Sequence, residues 1–134
     1  MGKIILGKIA ITFALTIMIC LPHYAADNIS STKGDDTLIG GPGNDIYIYH
    51  KGDGNDTIID PGGYNTIRLP DMTIENVQNF TKKGSDLLIQ FQNSKTDTTS
   101  IGSLLIKNFY TESKPRIKII FSDKSTWDNY EIVD

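Results

Sequence analysis

Gly40-Gly41-Pro42-Gly43-Asn44-Asp45-Ile46-Tyr47-Ile48 decides how the rest of the chain is read, because it matches the nine-residue pattern GGxGxDxUx, with U a large apolar residue, at every fixed position. Three imperfect copies lie in register around it. Position four is Gly34, Gly43, Gly54 and Gly63, position six is Asp36, Asp45, Asp56 and then Asn65, and position eight is Leu38, Tyr47, Ile58 and Ile67. A unit this short buries its apolar face only by stacking on its neighbours, so the repeat predicts stacked coils.

Each residue type has a separate job in such a stack. Glycine takes positive φ and lets the next coil approach without a Cβ in the way, so that carbonyl oxygens turn toward a common point. The aspartate adds anionic oxygen there, and calcium, which takes six to eight oxygens at about 2.3–2.6 Å, suits a mixed carbonyl and carboxylate cage. The apolar eighth residue points inward at strand period. With two repeats per coil, Asp36 is expected over Asp56 and Asp45 over Asn65. Both offsets are 20 residues because Tyr49 and His50 are inserted between the second and third repeats. The first pair is expected to make the better site, since Asn65 offers a neutral oxygen. Asp53 is counted among the ligands with Gly34, Gly43, Gly54 and Gly63.

Outward from the repeats, the chain changes character near Leu69. Gly34 to Asp60 holds six aspartates against one lysine, whereas Arg68 to Asp134 balances nine bases with nine acids and carries most of the aromatic and branched residues. Asp86–Phe91, Ser103–Lys107 and Arg116–Phe121 have strand length and composition, with turn-like Lys82–Ser85 and Ser122–Ser125 between strands. Before the repeats, Met1 to about Ala26 has the layout of a secretory leader. Lys3 and Lys8 precede a 13-residue run, Ile9–Leu21, that is apolar apart from Thr12 and Thr16 and ends at Pro22. That run is shorter than the roughly 18 residues a spanning helix needs, and an uncleaved anchor is the alternative. Without residues 1–26 the chain keeps 11 bases against 16 acids, which argues against a nucleic-acid partner. The sole cysteine, Cys20, leaves with the leader, so no disulfide closes the loops and a metal is the natural staple.

The stretch GDDTLIGGPGNDIYIYHKGDGNDTIIDPGGYNTIRL, residues 34–69, resembles the haemolysin-type calcium-binding repeats of RTX proteins. Asp86–Ile89, Leu105–Tyr110 and Phe121–Asp128 look like the related region that commonly follows those repeats. The resemblance implies a parallel β-roll with calcium held in its turns. Two features depart from that family. Lys124 stands where its tight turn usually has glycine, so that turn is expected to be reshaped, and the N-terminal leader replaces the usual C-terminal export signal.

Other chemistries fit less well. No Asp-x-Asp-x-Asp-Gly run is followed by the glutamate of an EF-hand, and Gly41–Gly43 lacks the GKS/T ending of a phosphate loop. A Ser/His/Asp triad would have to use His50, which sits in the insertion and is expected to be exposed. Asp53 with Asp56 as a glycosidase pair is better explained by ligation. Trp127, Phe109, Tyr110 and Phe121 are read as core, and a sugar-stacking face of Trp127 and Tyr130 is the competing use. The expectation is therefore an all-β, non-enzymatic, exported protein, secreted or periplasmic. Its parts are a signal helix over 1–26, a linker over 27–33, a roll of about two coils over 34–69 and a β-strand cap over 70–134. Its ligand is Ca2+, any further partner is an unidentified protein or glycan, and membrane contact arises only if the leader stays; the alternatives are a calcium-rigidified surface-interaction or carbohydrate-binding module and a non-catalytic accessory domain of a secreted hydrolase or epimerase.

Overall fold

The structure is a computed structural model and describes residues 2, 4–6, 9–11, 26–111 and 115–129. The described strands, in chain order, are β1 (Ile4–Leu6), β2 (Ile9–Ile11), β3 (Asn28–Ser30), β4 (Thr37–Ile39), β5 (Ile46–Ile48), β6 (Gly54–Ile59), β7 (Tyr64–Leu69), β8 (Val77–Lys83), β9 (Asp86–Gln92), β10 (Ser100–Ile106), β11 (Arg116–Phe121) and β12 (Thr126–Asp128). One 3-10 turn, Ile74–Asn76, precedes β8. The fold is all-β and consists of two mixed sheets, ordered β2-β1-β4-β6-β10-β9-β8 and β12-β11-β7-β5-β3.

From β3 to β7 successive strands alternate between the sheets, and each pairs in parallel with the strand two places on. The registers Thr37 beside Thr57 and Ile46 beside Thr66 are the 20-residue offset of the repeats. β10 and β11 then lie parallel to β6 and β7, placing Leu104 beside Asp56 and Ile117 beside Asn65. The C-terminal region thus continues both sheets, and the antiparallel β8, β9 and β12 finish them.

Position eight supplies the core. Leu38, Ile58 and Ile106 form one buried column, and Ile29, Tyr47, Ile67 and Ile119 form the facing one. Burying each such side chain contributes about 1.5–3 kcal/mol. Tyr49, from the insertion, is buried too. Its ring stacks on Phe91 at 5.2 Å between centroids and its hydroxyl donates to the Gly54 carbonyl at 2.6 Å. At the far end Trp127 lies 4.9 Å from Phe80 and 6.4 Å from Phe109, so aromatic rings bridge β8 and β12.

Three sequence expectations change. Ile4–Leu6 and Ile9–Ile11 are strands instead of helix, because four β-branched isoleucines favour extended backbone and β1 pairs with the edge of β4; the rest of the expected signal helix lies outside the described residues. Residues 27–33, expected as a linker, contain β3, whose Ile29 enters the core because Asp27-Asn28-Ile29 repeats the spacing of positions six to eight. The turn at Lys124 keeps its left-handed form, with φ of 68°, its N–H donating to the Phe121 carbonyl at 2.9 Å. Asp123 accepts bonds from both the Ser125 N–H at 3.0 Å and its hydroxyl at 2.6 Å, which fixes the turn around the strained residue. Lys124→Gly is therefore expected to stabilise the protein by about 1 kcal/mol in denaturant unfolding; an unchanged or lower midpoint would show that the lysine carries no backbone strain.

Candidate metal centre

The turns between strands fall into two rows. Residues 31–36 and 49–53 lie along one side of the stack, and 40–45 and 60–63 along the other, because the chain crosses from one sheet to the other at each turn. Close coil contact requires Gly54 and Gly63, whose φ angles are 100° and 88°. A Cβ at either would collide with the carbonyl of Gly34 or Gly43 beneath.

That approach brings the sixth-position side chains onto the neighbouring backbone. Asp56 Oδ1 accepts the Asp36 N–H at 2.8 Å, Asn65 Oδ1 accepts the Asp45 N–H at 2.8 Å, and Asp45 Oδ1 accepts the Asp27 N–H at 2.9 Å. Hydrogen bonds to charged groups such as the Asp45 and Asp56 carboxylates contribute about 1.5–3 kcal/mol each, and one to a neutral amide such as Asn65 about 0.5–1.5 kcal/mol. The fifth position repeats the device in the opposite sense, with Asp35 accepting from the Asn55 N–H and Asn44 from the Tyr64 N–H, both at 2.9 Å.

On the first side Asp36, Asp53 and Asp56 come together with Gly34, Gly54, Ser31 and Thr32. Asp36 Oδ2 accepts from the Thr32 N–H at 2.7 Å and hydroxyl at 2.6 Å, and Asp53 Oδ2 accepts from the Ser31 hydroxyl and the His50 N–H, both at 2.9 Å. Asp56 Oδ2 is buried and makes no hydrogen bond of ordinary geometry, the nearby Ser31 hydroxyl being directed to Asp53. Burial pushes the Asp56 carboxyl up to about 6, with the Asp36 and Asp53 carboxylates adding to the rise. His50 is exposed, its Nδ1 3.7 Å from Asp53 Oδ2, too far for a hydrogen bond.

On the second side Asp45 and Asn65 meet two acids the motif did not mark, Asp27 and Asp60. Tyr47 donates its hydroxyl to Asp60 Oδ2, and Asp60 Oδ1 accepts the Gly62 N–H at 2.9 Å. A Cβ on Gly40 would fall among Tyr47 Oη, Asp45 Oδ2 and Asp60 Oδ2, so three oxygens face one cradle. Burial raises the Asp60 carboxyl to about 6 and raises Asp45, and the buried Tyr47 hydroxyl is pushed far above its ordinary value. The sequence reading missed Asp60, although the offset that places Asp45 on Asn65 also places Gly40 on Asp60. Asp27 stands 18 residues before Asp45, the uninterrupted two-repeat offset.

Among the described residues, no three His, Cys, Asp or Glu side chains form a group able to hold an ion on their own. The donors of each side are all oxygen, from carboxylates, amide, hydroxyls and backbone carbonyls. The Asp56 oxygen without an ordinary hydrogen bond and the cradle at Gly40 both suit a hard cation, provided carbonyls share in holding it. Comparison with protein-family models and with curated protein sequences gives no match.

A carboxyl held above its unfolded value of 3.8 keeps its proton more tightly in the folded chain, so its contribution to stability is greatest at low pH and is lost as pH rises through about 6. Asp86, Asp97 and Asp123 are held below 3.8 by hydrogen bonds, from Lys107 first in the case of Asp86, and change only at lower pH. Without metal, Tm is expected to fall between about pH 4 and pH 7, and Asp56→Asn to flatten that fall. A Tm that climbs across this window would contradict the burial of uncompensated acid.

Proposed function

We propose that the protein is an exported calcium-binding protein of the RTX type, in which residues 34–69 form a parallel β-roll and calcium binding drives folding outside the cytosol. The observation that carries this reading is the buried carboxylate oxygen of Asp56, which makes no hydrogen bond of ordinary geometry although it lies in a row of acids. Alternation of parallel strands between two sheets at the repeat offset supports the roll. On the first side Asp36, Asp53 and Asp56 would hold the ion with carbonyls near Gly34 and Gly54. On the second side Asp45, Asn65, Asp27 and Asp60 would do so near Gly43 and Gly63, so the second side is no longer the poorer in charge.

Bound calcium supplies the positive charge these carboxylates lack. The chain does the remaining work: glycine contacts set coil spacing, the sixth-position oxygens fix each turn to the backbone of the next coil, and the apolar columns exclude water. Without the ion, the clustered acids repel and loosen the stack. Extracellular modules bind calcium at roughly 10⁻⁴ to 10⁻³ M, so such sites fill on leaving a low-calcium cytosol. A sugar-stacking role for Trp127 loses support, because Phe80 and Phe109 stack on its ring; Tyr130 lies outside the described residues.

Titration of the full chain with calcium, followed by far-UV circular dichroism and calorimetry with magnesium as control, tests the proposal. Calcium at a hundred times its Kd should stabilise the fold by about 2.7 kcal/mol. Asp36→Ala with Asp56→Ala should remove the response of the first side, and Asp45→Ala with Asp60→Ala that of the second. No heat and no spectral change at about 10 mM calcium, above the range of extracellular sites, would end the calcium reading and leave a metal-free β-protein.

A further inference from the structure

The β4 edge is covered in a specific way. β1 runs parallel to it, with Ile4 beside Thr37, Ile5 beside Leu38 and Leu6 beside Ile39. Ile5 is 5% exposed and extends the buried column of Leu38, Ile58 and Ile106, whereas Ile4 faces outward at 47% exposure, as Ile59 does at 39%. Gly2 lies so close to the Asp35 carbonyl that a Cβ would collide with it; Gly54 and Gly63 approach the Gly34 and Gly43 carbonyls in a similar way, there four residues before the inward apolar residue instead of three. A residue without a side chain against the coil beneath, followed by an inward apolar residue, is the grammar of the repeats. The nine-residue motif itself is absent there.

We infer that the β4 edge is a strand-acceptor site, occupied in cis by Gly2 and β1 acting as a surrogate coil. The ligand it selects is an extended peptide in parallel register, with glycine against the Asp35 carbonyl and an aliphatic residue three places later over Leu38. Main-chain hydrogen bonds along β4 supply affinity and the Leu38 column supplies selectivity, as in other strand additions. An uncovered sheet edge is a template for any extended chain, so the occupant also protects the protein from pairing with others. Cutting near residue 26 would release this occupant and open the site to another strand of the same kind. The inference stands on packing alone and is independent of calcium.

Two measurements on the full chain test it. In a Cys20→Ser background, a nitroxide attached through Ile4→Cys, an outward position, should broaden the amide signals of Thr37, Leu38 and Ile39; no broadening in the folded protein overturns the proposal. Gly2→Val with Ile5→Asp should then speed hydrogen exchange across 37–39 by at least about tenfold while β9 and β10 stay protected, and Ile4→Thr should leave it unchanged. A synthetic peptide of residues 1–8 should restore protection in the double variant, and the same peptide with valine at its second position should not. Unchanged exchange in the double variant overturns the inference. So does protection that returns through dimerisation without peptide, which would assign the edge to a second copy.

Discussion

A side-chain oxygen that accepts the backbone N–H of the adjoining coil is the interaction on which the rest of the structure depends. Asp45 on Asp27, Asp56 on Asp36 and Asn65 on Asp45 tie the turns together at 2.8–2.9 Å. These bonds form only where glycine lets the coils touch, and the same register delivers the eighth-position side chains into the two apolar columns. The acids are therefore needed for geometry before they are needed for charge. That double duty explains their cost: burial raises Asp45, Asp56 and Asp60, and the hydrogen bonds they accept offset that rise only in part.

The parts of the fold written in a strict period were legible. Position eight is buried in all four repeats, and the 20-residue offset across Tyr49 and His50 is the observed register. Asp86–Phe91 and Arg116–Phe121 were visible as strands because apolar residues alternate or run continuously there, and the first extends one residue further, to Gln92. β8 was not, since Val77–Lys83 is mostly polar and exposed and is held by its pairing with β9. The two isoleucine strands at the N-terminus were hidden by a segment whose composition reads first as a leader.

For the site, the motif marked the sixth position and missed what the third dimension adds. Asp60 occupies a position where the pattern has glycine, and Tyr47 was read only as an inward apolar residue although its hydroxyl reaches Asp60. Tyr49 looked like a spacer and is a core residue tied to Gly54. Each tyrosine carries an apolar role and a polar one at once, and a one-letter pattern assigns it only the first.

Leu104 and Ile117 stand in register with Asp56 and Asn65, so the last coil puts hydrocarbon where the coil before it has a carboxylate in one turn row and an amide in the other. This coil closes without counter-charge, whereas the ones before it carry repelling carboxylates. The stack therefore has two unlike ends along its axis, and the repulsion between carboxylates at its turn rows is confined to the N-terminal one.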